Sequence, residues 1–490
     1  MLLSFSRMFD DLRDYVYALP YHGLIAHGFG IAGFIFAFFL VARLMSEKRA
    51  PANTFAWLLI IILVPWVGVP LYLLLGGRKL RRLAKEKSRL LPALPLGTTN
   101  PFPTAWSPTV HTIVSSGAPG PVAGNSMRLL VTGEDAYSRL EHHIRNARTH
   151  IHITAFLLGR DETGRRIVNL LAERAQAGVK VRLLLDAVGS MFSSRGYVDP
   201  IRRAGGEVSR FMPVLPLTSR SSANLRNHRK IAVFDHDTAI VGGHNLAHEY
   251  MGPTRHAKRF QDFGAVIHGP GAALLNEVFI ADWCFATRQS AERLHAEIPL
   301  AQISTRRGAT ELQIVASGPD VPGDPLYEGI VSMIQEANKS IWIVTPYFIP
   351  DDVLLRSLMV KARAGREVTL ITPQSSNHPV ADFARRHYIR ELQRAGAHVL
   401  LYGKGMLHSK AMIVDDNVAL LGSPNFDLRS LFVNFEIGIL VHSPADVAAM
   451  KGWALELATH CQPPKPERRK KFRLVGNLVE DLSRLLAPLL

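Results

Sequence analysis

Two segments of the chain carry the residue types needed to attack a phosphate and hold its charge: His228-x-Lys230-x4-Asp235 and His408-x-Lys410-x4-Asp415. An imidazole can bond to phosphorus or exchange a proton with an alcohol near neutral pH, and an adjacent ammonium can neutralise phosphate oxygens. In an extended chain, residues two apart share a face, so each histidine is expected to project with its lysine. Each motif is followed by a small-residue element and an asparagine, Gly242-Gly243-His244-Asn245 and Gly422-Ser423-Pro424-Asn425. A single match would carry little weight, but a matched pair with the same tail points to a duplicated site. One histidine would attack phosphorus, and the other would protonate the leaving alcohol and then deprotonate the incoming hydroxyl. Lys230 and Lys410 would neutralise the developing charge, and Asn245 and Asn425 would donate further hydrogen bonds. Two motifs are required because nucleophile and acid stand on opposite sides of the phosphorus.

The segments around the motifs predict a duplicated α/β unit. Arg128–Val131, His150–Phe156 and Lys180–Asp186 read as strands, with helices over Glu134–Ala147 and Arg165–Ala177. The same order recurs in Glu311–Ala316, Leu326–Ala337, Ser340–Pro346, Val353–Ala364 and Glu367–Thr372. Arg203-Ala204-Gly205-Gly206 matches Arg394-Ala395-Gly396-Ala397, and a motif follows each. The first half has an insertion, Met212–Asn224, beside its motif. These signals divide the catalytic region into repeats at 126–305 and 306–462, one motif strand from each.

Two apolar stretches, 24–45 and 54–75, are each about twenty residues long, enough for a hydrocarbon core of about 30 Å. They predict a transmembrane hairpin within residues 1–80. Arg43, near the end of the first span, and Lys48 and Arg49 make up the basic residues of the loop side, and Arg78, Lys79, Arg81, Arg82, Lys85, Lys87 and Arg89 follow the second span. This excess places the C-terminal side in the cytoplasm. Residues 81–125 read as a basic, Pro- and Gly-rich linker, and 463–490 as a basic amphipathic tail, suited to a membrane surface or to the protein's own core. His142-His143 is expected on a solvated helix face.

The net charge of +16 predicts attraction to a polyanion, either nucleic acid or an anionic leaflet, and the apolar spans favour the leaflet. Cys284 and Cys461 stand far apart with no metal-ligand spacing, so a disulfide framework or structural zinc is not expected. No carboxylate-rich metal site and no nucleotide-binding fingerprint is legible, so no metal or cofactor is expected.

The two motifs are those of the phospholipase D superfamily. Asn227-His228-Arg229-Lys230-Ile231, Gly405-Met406-Leu407-His408-Ser409-Lys410 and Thr345-Pro346-Tyr347-Phe348-Ile349-Pro350 resemble its bacterial cardiolipin synthase branch. Lys48-Arg49-Ala50-Pro51, Ala56-Trp57 and Pro70-Leu71-Tyr72-x3-Gly76 resemble that branch's membrane hairpin. The resemblance implies a two-lobed catalytic region in a bacterial inner membrane, with phosphatidylglycerol as both donor and acceptor of a phosphatidyl group and no nucleic acid partner. It makes Asp262 and Glu436 the carboxylates that orient the imidazoles. It slightly favours His228 as nucleophile. Asp235 and Asp415 belong to the catalytic motif but are expected to tie its strand to neighbouring backbone. A hydrolase of phospholipid or nucleic acid would use the same residues, and a lipid-binding protein without turnover would be expected to have lost one motif.

Overall fold

The computed structural model describes residues 106–464 apart from 194–195, 215–223 and 299–305, together with Lys87 and a few positions among the first 64. The chain separates into two units, Met1–Arg81 and Arg82–Leu490. In the first, only isolated positions such as Phe38, Phe39, Ile61 and Ile62 are described, each helical. The expected hairpin and the tail from 465 onward lie outside the described residues, as does most of the Met212–Asn224 insertion. No helix among the described residues is long and apolar enough to cross a membrane.

In the second unit the first half runs α1 (Pro108–Ser115), β1 (Val122–Leu130), α2 (Gly133–Asn146), β2 (His150–Ala155), α3 (Glu162–Gln176), β3 (Lys180–Asp186), α4 (Asp199–Arg203) and β4 (Glu207–Phe211). It continues with β5 (Ile231–Phe234), β6 (Thr238–Gly242), β7 (Gly264–His268), α5 (Pro270–Thr287) and α6 (Ala291–Ala296). The second half opens with β8 (Thr310–Ser317), α7 (Pro325–Glu336), β9 (Ser340–Val344), β10 (Phe348–Ile349), α8 (Asp352–Arg363), β11 (Glu367–Pro373), α9 (Pro379–Arg394) and β12 (His398–Tyr402). It closes with β13 (Ala411–Val414), β14 (Val418–Gly422), β15 (Phe426–Asp427), α10 (Leu428–Phe432), β16 (Glu436–Val441), α11 (Pro444–Ala458) and β17 (Cys461–Gln462).

The strands of the first half lie in the order β1-β7-β6-β5-β2-β3-β4. Those of the second lie in the order β8-β16-β14-β13-β9-β11-β12, with β17 added at the edge. The spatial order is the same, so the duplication holds at the level of topology. The halves join where β1 runs antiparallel to β8, with an irregularity between Val122 and Asn125. Their shared core packs α5 and α11 between them: Leu275 and Val278 on one side, Met450 and Trp453 on the other. The Trp453 ring stacks on Phe263 with centroids 3.8 Å apart. Such aromatic pairs contribute about 0.5–1.5 kcal/mol beyond the area they bury.

The linker reading needs correction at its end. Ser107 caps Val110 N, Pro108 starts the helix without sacrificing a bonded N–H, and Val110 and Ile113 are buried, so Pro108–Ser115 is helix rather than linker. The first half also begins with Val122 rather than at 126. Prolines and polar residues here mark a helix start, and the short apolar pair was too sparse to show periodicity.

Candidate active site

The two motif histidines precede their strands rather than lie in them, because the chain there leaves its own sheet to pair with the other half. His228 N donates to Phe435 O at 2.9 Å, and Phe435 N donates to Arg226 O at 2.9 Å. In the other direction Gln261 N donates to Met406 O at 2.8 Å and His408 N to Gln261 O at 2.7 Å. Each motif is thus laid beside the segment of the opposite half that carries a carboxylate. The side chains follow the backbone. His228 Nδ1 lies 2.9 and 3.1 Å from the two carboxylate oxygens of Glu436, and His408 Nδ1 lies 2.6 Å from Asp262 Oδ2. The pairing is crosswise, and in each ring it engages Nδ1 and leaves Nε2 unbound by the carboxylate.

Lys230 Nζ donates to the His228 carbonyl at 2.7 Å, so the pair shares a face as its spacing implies. Lys410 Nζ contacts the His408 carbonyl and lies 2.8 and 2.9 Å from the two ring nitrogens. Burial, reinforced by Lys410 and opposed by Asp262, pushes His408 down to about 3. His228 is lowered too, by burial and Lys230 against the pull of Glu436. Burial alone would raise Glu436 and Asp262, yet the cationic groups around them hold both carboxyls below the usual range. Lys230 is pushed down to about 7 and Lys410 to about 8, chiefly by burial. The resting site therefore offers neutral imidazoles backed by carboxylates, beside lysines whose charge an arriving phosphate would stabilise.

Asp235 and Asp415 sit at the far ends of their strands and touch no substrate-facing group. Asp235 accepts from the backbone N–H of Arg148, Thr149 and His150 at 2.8, 2.7 and 3.1 Å. Asp415 accepts from Asn338, Lys339 and Ser340 N in the same way. Both aspartates and the residues after them have φ near +50 to +60° (49° and 62°, 52° and 57°), the left-handed pair of a tight hairpin. That conformation costs about 1–2 kcal/mol per residue, which several charge-assisted hydrogen bonds of about 1.5–3 kcal/mol can offset. The motif aspartate therefore locks the hairpin to the preceding strand.

Asn245 and Asn425 are buried, and their pairing reaches Tyr250 and Asp427. The glycine before each tail is obligatory for packing: a Cβ on Gly242 would lie 2.4 Å from Gly264 Cα, and one on Gly422 would lie 2.1 Å from Ile437 O. The next position differs. Ser423 Oγ donates to Glu436 Oε2 and accepts from Ile437 N at 3.0 Å, whereas Gly243 leaves space filled by Asp262 Oδ1. The Phe156 ring stands 5.1 Å from His228, and Tyr250 stands 5.0 Å from His408, both edge-on.

Beneath His228 and Glu436 lies an ionic floor that sequence reasoning missed. Arg229, fully buried, bonds Asp282 Oδ1 at 2.6 Å, Glu436 O at 2.9 Å and Ser317 O at 3.0 Å. Asn227 Nδ2 donates to Asp282 Oδ2 at 2.8 Å. Lys87 completes it: fully buried, its Nζ lies 2.7 Å from Asp282 Oδ1, contacts Asp320 and sits 4.8 Å from the Phe435 ring centre. The charge-counting reading placed Lys87 among the cations that follow the spans; the structure buries it against two carboxylates, a partnership that no local pattern reveals. His143 also departs from the expected solvated face. Its ring stacks on Phe234 at 5.4 Å, and burial lowers it to about 4, while His142 stays exposed. Among the described residues, no group of three His, Cys, Asp or Glu side chains is placed to hold a metal ion. Cys284 and Cys461 are both free thiols.

With this geometry in place, comparison with known proteins becomes specific. The family model described as cardiolipin synthase, PLD-like domain, matches residues 140–283 and 330–457, one match over each motif. A second, described as phospholipase D-nuclease N-terminal, matches residues 33–77. The chain is 33% identical to a cardiolipin synthase of Geobacillus thermodenitrificans, covering 92% of both chains. The chain belongs to the cardiolipin synthase family of phospholipase D-like enzymes. A relative from Listeria monocytogenes, also a cardiolipin synthase, is 31% identical over 96% of this chain and all of its own. Among solved structures, the phosphatidylserine synthase of Haemophilus influenzae superposes with a TM-score of 0.60 at 18% identity, covering 78% of this chain and all of that one. That likeness shows the shared two-lobed fold. The family matches extend over both lobes and cover both motifs.

Proposed function

We infer that this family member is a cardiolipin synthase that moves a phosphatidyl group from one phosphatidylglycerol to another and releases glycerol. The observation that carries the reading is the crosswise pair of carboxylate-backed histidines, each with its lysine, in a chain related over nearly its whole length to cardiolipin synthases. His228 attacks phosphorus through Nε2; the P–O bond to the headgroup glycerol breaks, and glycerol leaves with a proton from His408. Substrate charge raises His408 enough to hold that proton at the moment of binding. The hydroxyl of the second phosphatidylglycerol then gives its proton to His408 as its oxygen bonds phosphorus and the bond to His228 breaks. The greater openness of His228, 13% exposed against 6% for His408, supports this order. Lys230, Lys410, Asn245 and Asn425 hold the phosphoryl oxygens, while Glu436 and Asp262 hold the rings. The chemistry calls for no metal.

The first unit anchors the enzyme through the hairpin at 24–45 and 54–75, with the catalytic unit in the cytoplasm of a bacterial cell. The net charge of +16 favours an anionic leaflet. The test incubates purified full-length protein with labelled phosphatidylglycerol and follows cardiolipin, glycerol and phosphatidic acid. Cardiolipin and glycerol in equal amounts are expected. Phosphatidic acid as the main product would make the enzyme a hydrolase.

A further inference from the structure

We propose that Arg429, with the apolar lip formed by Val188, Met191 and Phe192, is the acceptor subsite, taking the phosphodiester and acyl chains of the second anionic phospholipid. This rests on the transfer reaction inferred above and names what selects its second substrate. The acceptor hydroxyl and the acceptor's own phosphate are separated only by a glycerol, so a cation for that phosphate must lie close to the attacked phosphorus.

Arg429 meets this requirement. Its guanidinium is half-buried and, among the described residues, donates to Asn224, at 2.7 Å to the carbonyl and 3.3 Å to Oδ1. Asn224 lies four residues before His228. The Arg429 carbonyl accepts from Val433 N at 3.0 Å and Asn434 N at 2.9 Å, two residues before Glu436. The guanidinium thus sits between the segments that deliver His228 and Glu436. The nearby carboxylates are engaged elsewhere: Asp427 accepts from Ser430 N at 2.7 Å, Glu436 holds His228, and Asp186 pairs with Arg226 at 3.3 Å. Among the described residues no carboxylate forms an ion pair with Arg429. A half-buried guanidinium that feels Asp427, Asp186 and Glu436 through space but is clamped by none of them is suited to bidentate binding of a phosphodiester beside the reacting centre.

The lip stands on the same side. Asp186, which carries Arg226, also accepts from Val188 N and Gly189 N at 2.9 and 3.0 Å. Ser190 Oγ donates at 2.9 Å to the carbonyl of Phe156, whose ring faces His228. From this anchored turn Val188, Met191 and Phe192 project into solvent, 41, 53 and 77% exposed. Large apolar side chains clustered at that exposure on an anchored turn mark a surface that meets something apolar.

Neither feature has a counterpart in the other half. Counting from the tail asparagines, Glu249 occupies the position of Arg429, a reversal of charge. The turn after β11, equivalent to the one after β3, is polar and exposed: Gln374, Ser375, Asn377 and His378. Only the His228 side can receive both an anionic headgroup and acyl chains beside the reacting phosphorus.

The test compares two reactions of the purified full chain in mixed micelles containing phosphatidylglycerol. Cardiolipin formation uses an acceptor that carries a phosphate; exchange of labelled glycerol into phosphatidylglycerol uses one that carries none. Arg429→Gln is expected to lower the first relative to the second by about tenfold or more, with Arg429→Lys recovering part of the loss. Equal losses in both reactions by a variant of normal Tm overturn the subsite, as does no loss in either. The surface pair Met191→Ser with Phe192→Ser supplies a second reading that does not depend on Arg429 folding. Synthesis with long-chain acceptor should fall several-fold against exchange, and added dihexanoyl phosphatidylglycerol should narrow the gap. A deficit indifferent to chain length overturns the lip. Wild-type protein that yields neither cardiolipin nor exchanged glycerol, only phosphatidic acid, overturns the transfer reading itself and the subsite with it.

Discussion

Glu436 reaches His228 with both carboxylate oxygens, at 2.9 and 3.1 Å, and is itself capped by Ser423. Asp262, one methylene shorter, reaches His408 with one oxygen at 2.6 Å and packs against the bare backbone of Gly243. The same strand order has produced two different supports for two chemically identical rings. The longer carboxylate leaves His228 nearer the surface, while the shorter one, with Lys410 across its ring nitrogens, keeps His408 deep. An attacking nitrogen must meet a bulky lipid phosphate, whereas a proton donor has only to reach a departing oxygen. The difference between the halves therefore matches a division of labour.

The severest test of that division removes the rings. His228→Ala and His408→Ala should each lower cardiolipin formation by about 10⁴-fold or more, since each deletes a covalent partner or its acid. The two variants should differ in what they accumulate. His408→Ala is expected to trap labelled phosphatidyl group on His228 within a single turnover, and His228→Ala to trap none. Label on His408 would reverse the assignment.

Next come the supports. Asp262→Asn and Glu436→Gln should cost about 10²–10⁴-fold in kcat, because an amide no longer stabilises the imidazolium or fixes its tautomer. Gly243→Ala should act like Asp262→Asn, since its Cβ would lie 2.0 Å from Asp262 Oδ1 and must displace it. Steady-state kinetics paired with melting curves separate this from unfolding. Full activity in Gly243→Ala would show that Asp262 has slack the structure does not.

Among the described residues, the ionic floor under the first half has no equal under the second. Lys87→Met would take from Asp320 its ion pair and leave Asp282 with Arg229 and Asn227, and breaking a buried ion network by removing one partner costs about 3–5 kcal/mol. A lower denaturation midpoint is expected, with Asp320→Asn in the same chain recovering much of it. An unchanged midpoint in Lys87→Met would place that side chain outside the floor.

This floor also marks the limit of what the sequence reveals. The duplication, the paired motifs and the succession of elements along the chain are local patterns repeated at one spacing, so residues such as Lys180–Asp186 and Glu367–Thr372 are legible as strands. That Asp262 and Glu436 follow the motifs is legible as well. That they serve the opposite histidine is not, because the exchange arises from single bridges, Asn227 with Phe435 and Gln261 with Leu407, between segments far apart in the chain. Lys87 is hidden for the same reason: 233 residues separate it from Asp320. Arg429 is visible as a residue, but its place beside Asn224 without a carboxylate ion pair among the described residues is visible only in three dimensions.

The lysines differ more gently. With Lys230 lowered to about 7 and Lys410 to about 8, each loses its proton as pH rises through these values, and with it the charge that receives phosphate. kcat/KM should therefore decline on the alkaline side between about pH 7 and 9. Lys230→Met should be slower throughout and should lack the earlier part of that decline. A limb unchanged in Lys230→Met would assign it to another group. Stability should move the opposite way at acid pH. His143, His150 and His236, each pushed down to about 4 mainly by burial, bind fewer protons folded than unfolded between about pH 4 and 6.5. Stability therefore rises with pH across that window, and Tm should fall as it is descended.

The smallest effect probes the difference with which the halves are finished. Ser423→Ala removes the hydroxyl that donates to Glu436 Oε2 and accepts from Ile437 N, leaving that oxygen with His228 at 3.1 Å, while a distant Asn434 amide reaches only the other oxygen, Oε1, at 3.5 Å. The carboxylate remains charged and in place, so the loss is one hydrogen bond, about 1 kcal/mol, or several-fold in kcat. The acid limb of kcat/KM should shift upward in pH, because a carboxylate with one donor fewer is easier to protonate and then no longer holds the imidazole. Gly243→Ala, the same small side chain at the equivalent position, should be far more damaging. If the two alanine variants lose activity equally, the unequal supports are incidental and the division of labour must rest on the histidines' surroundings instead.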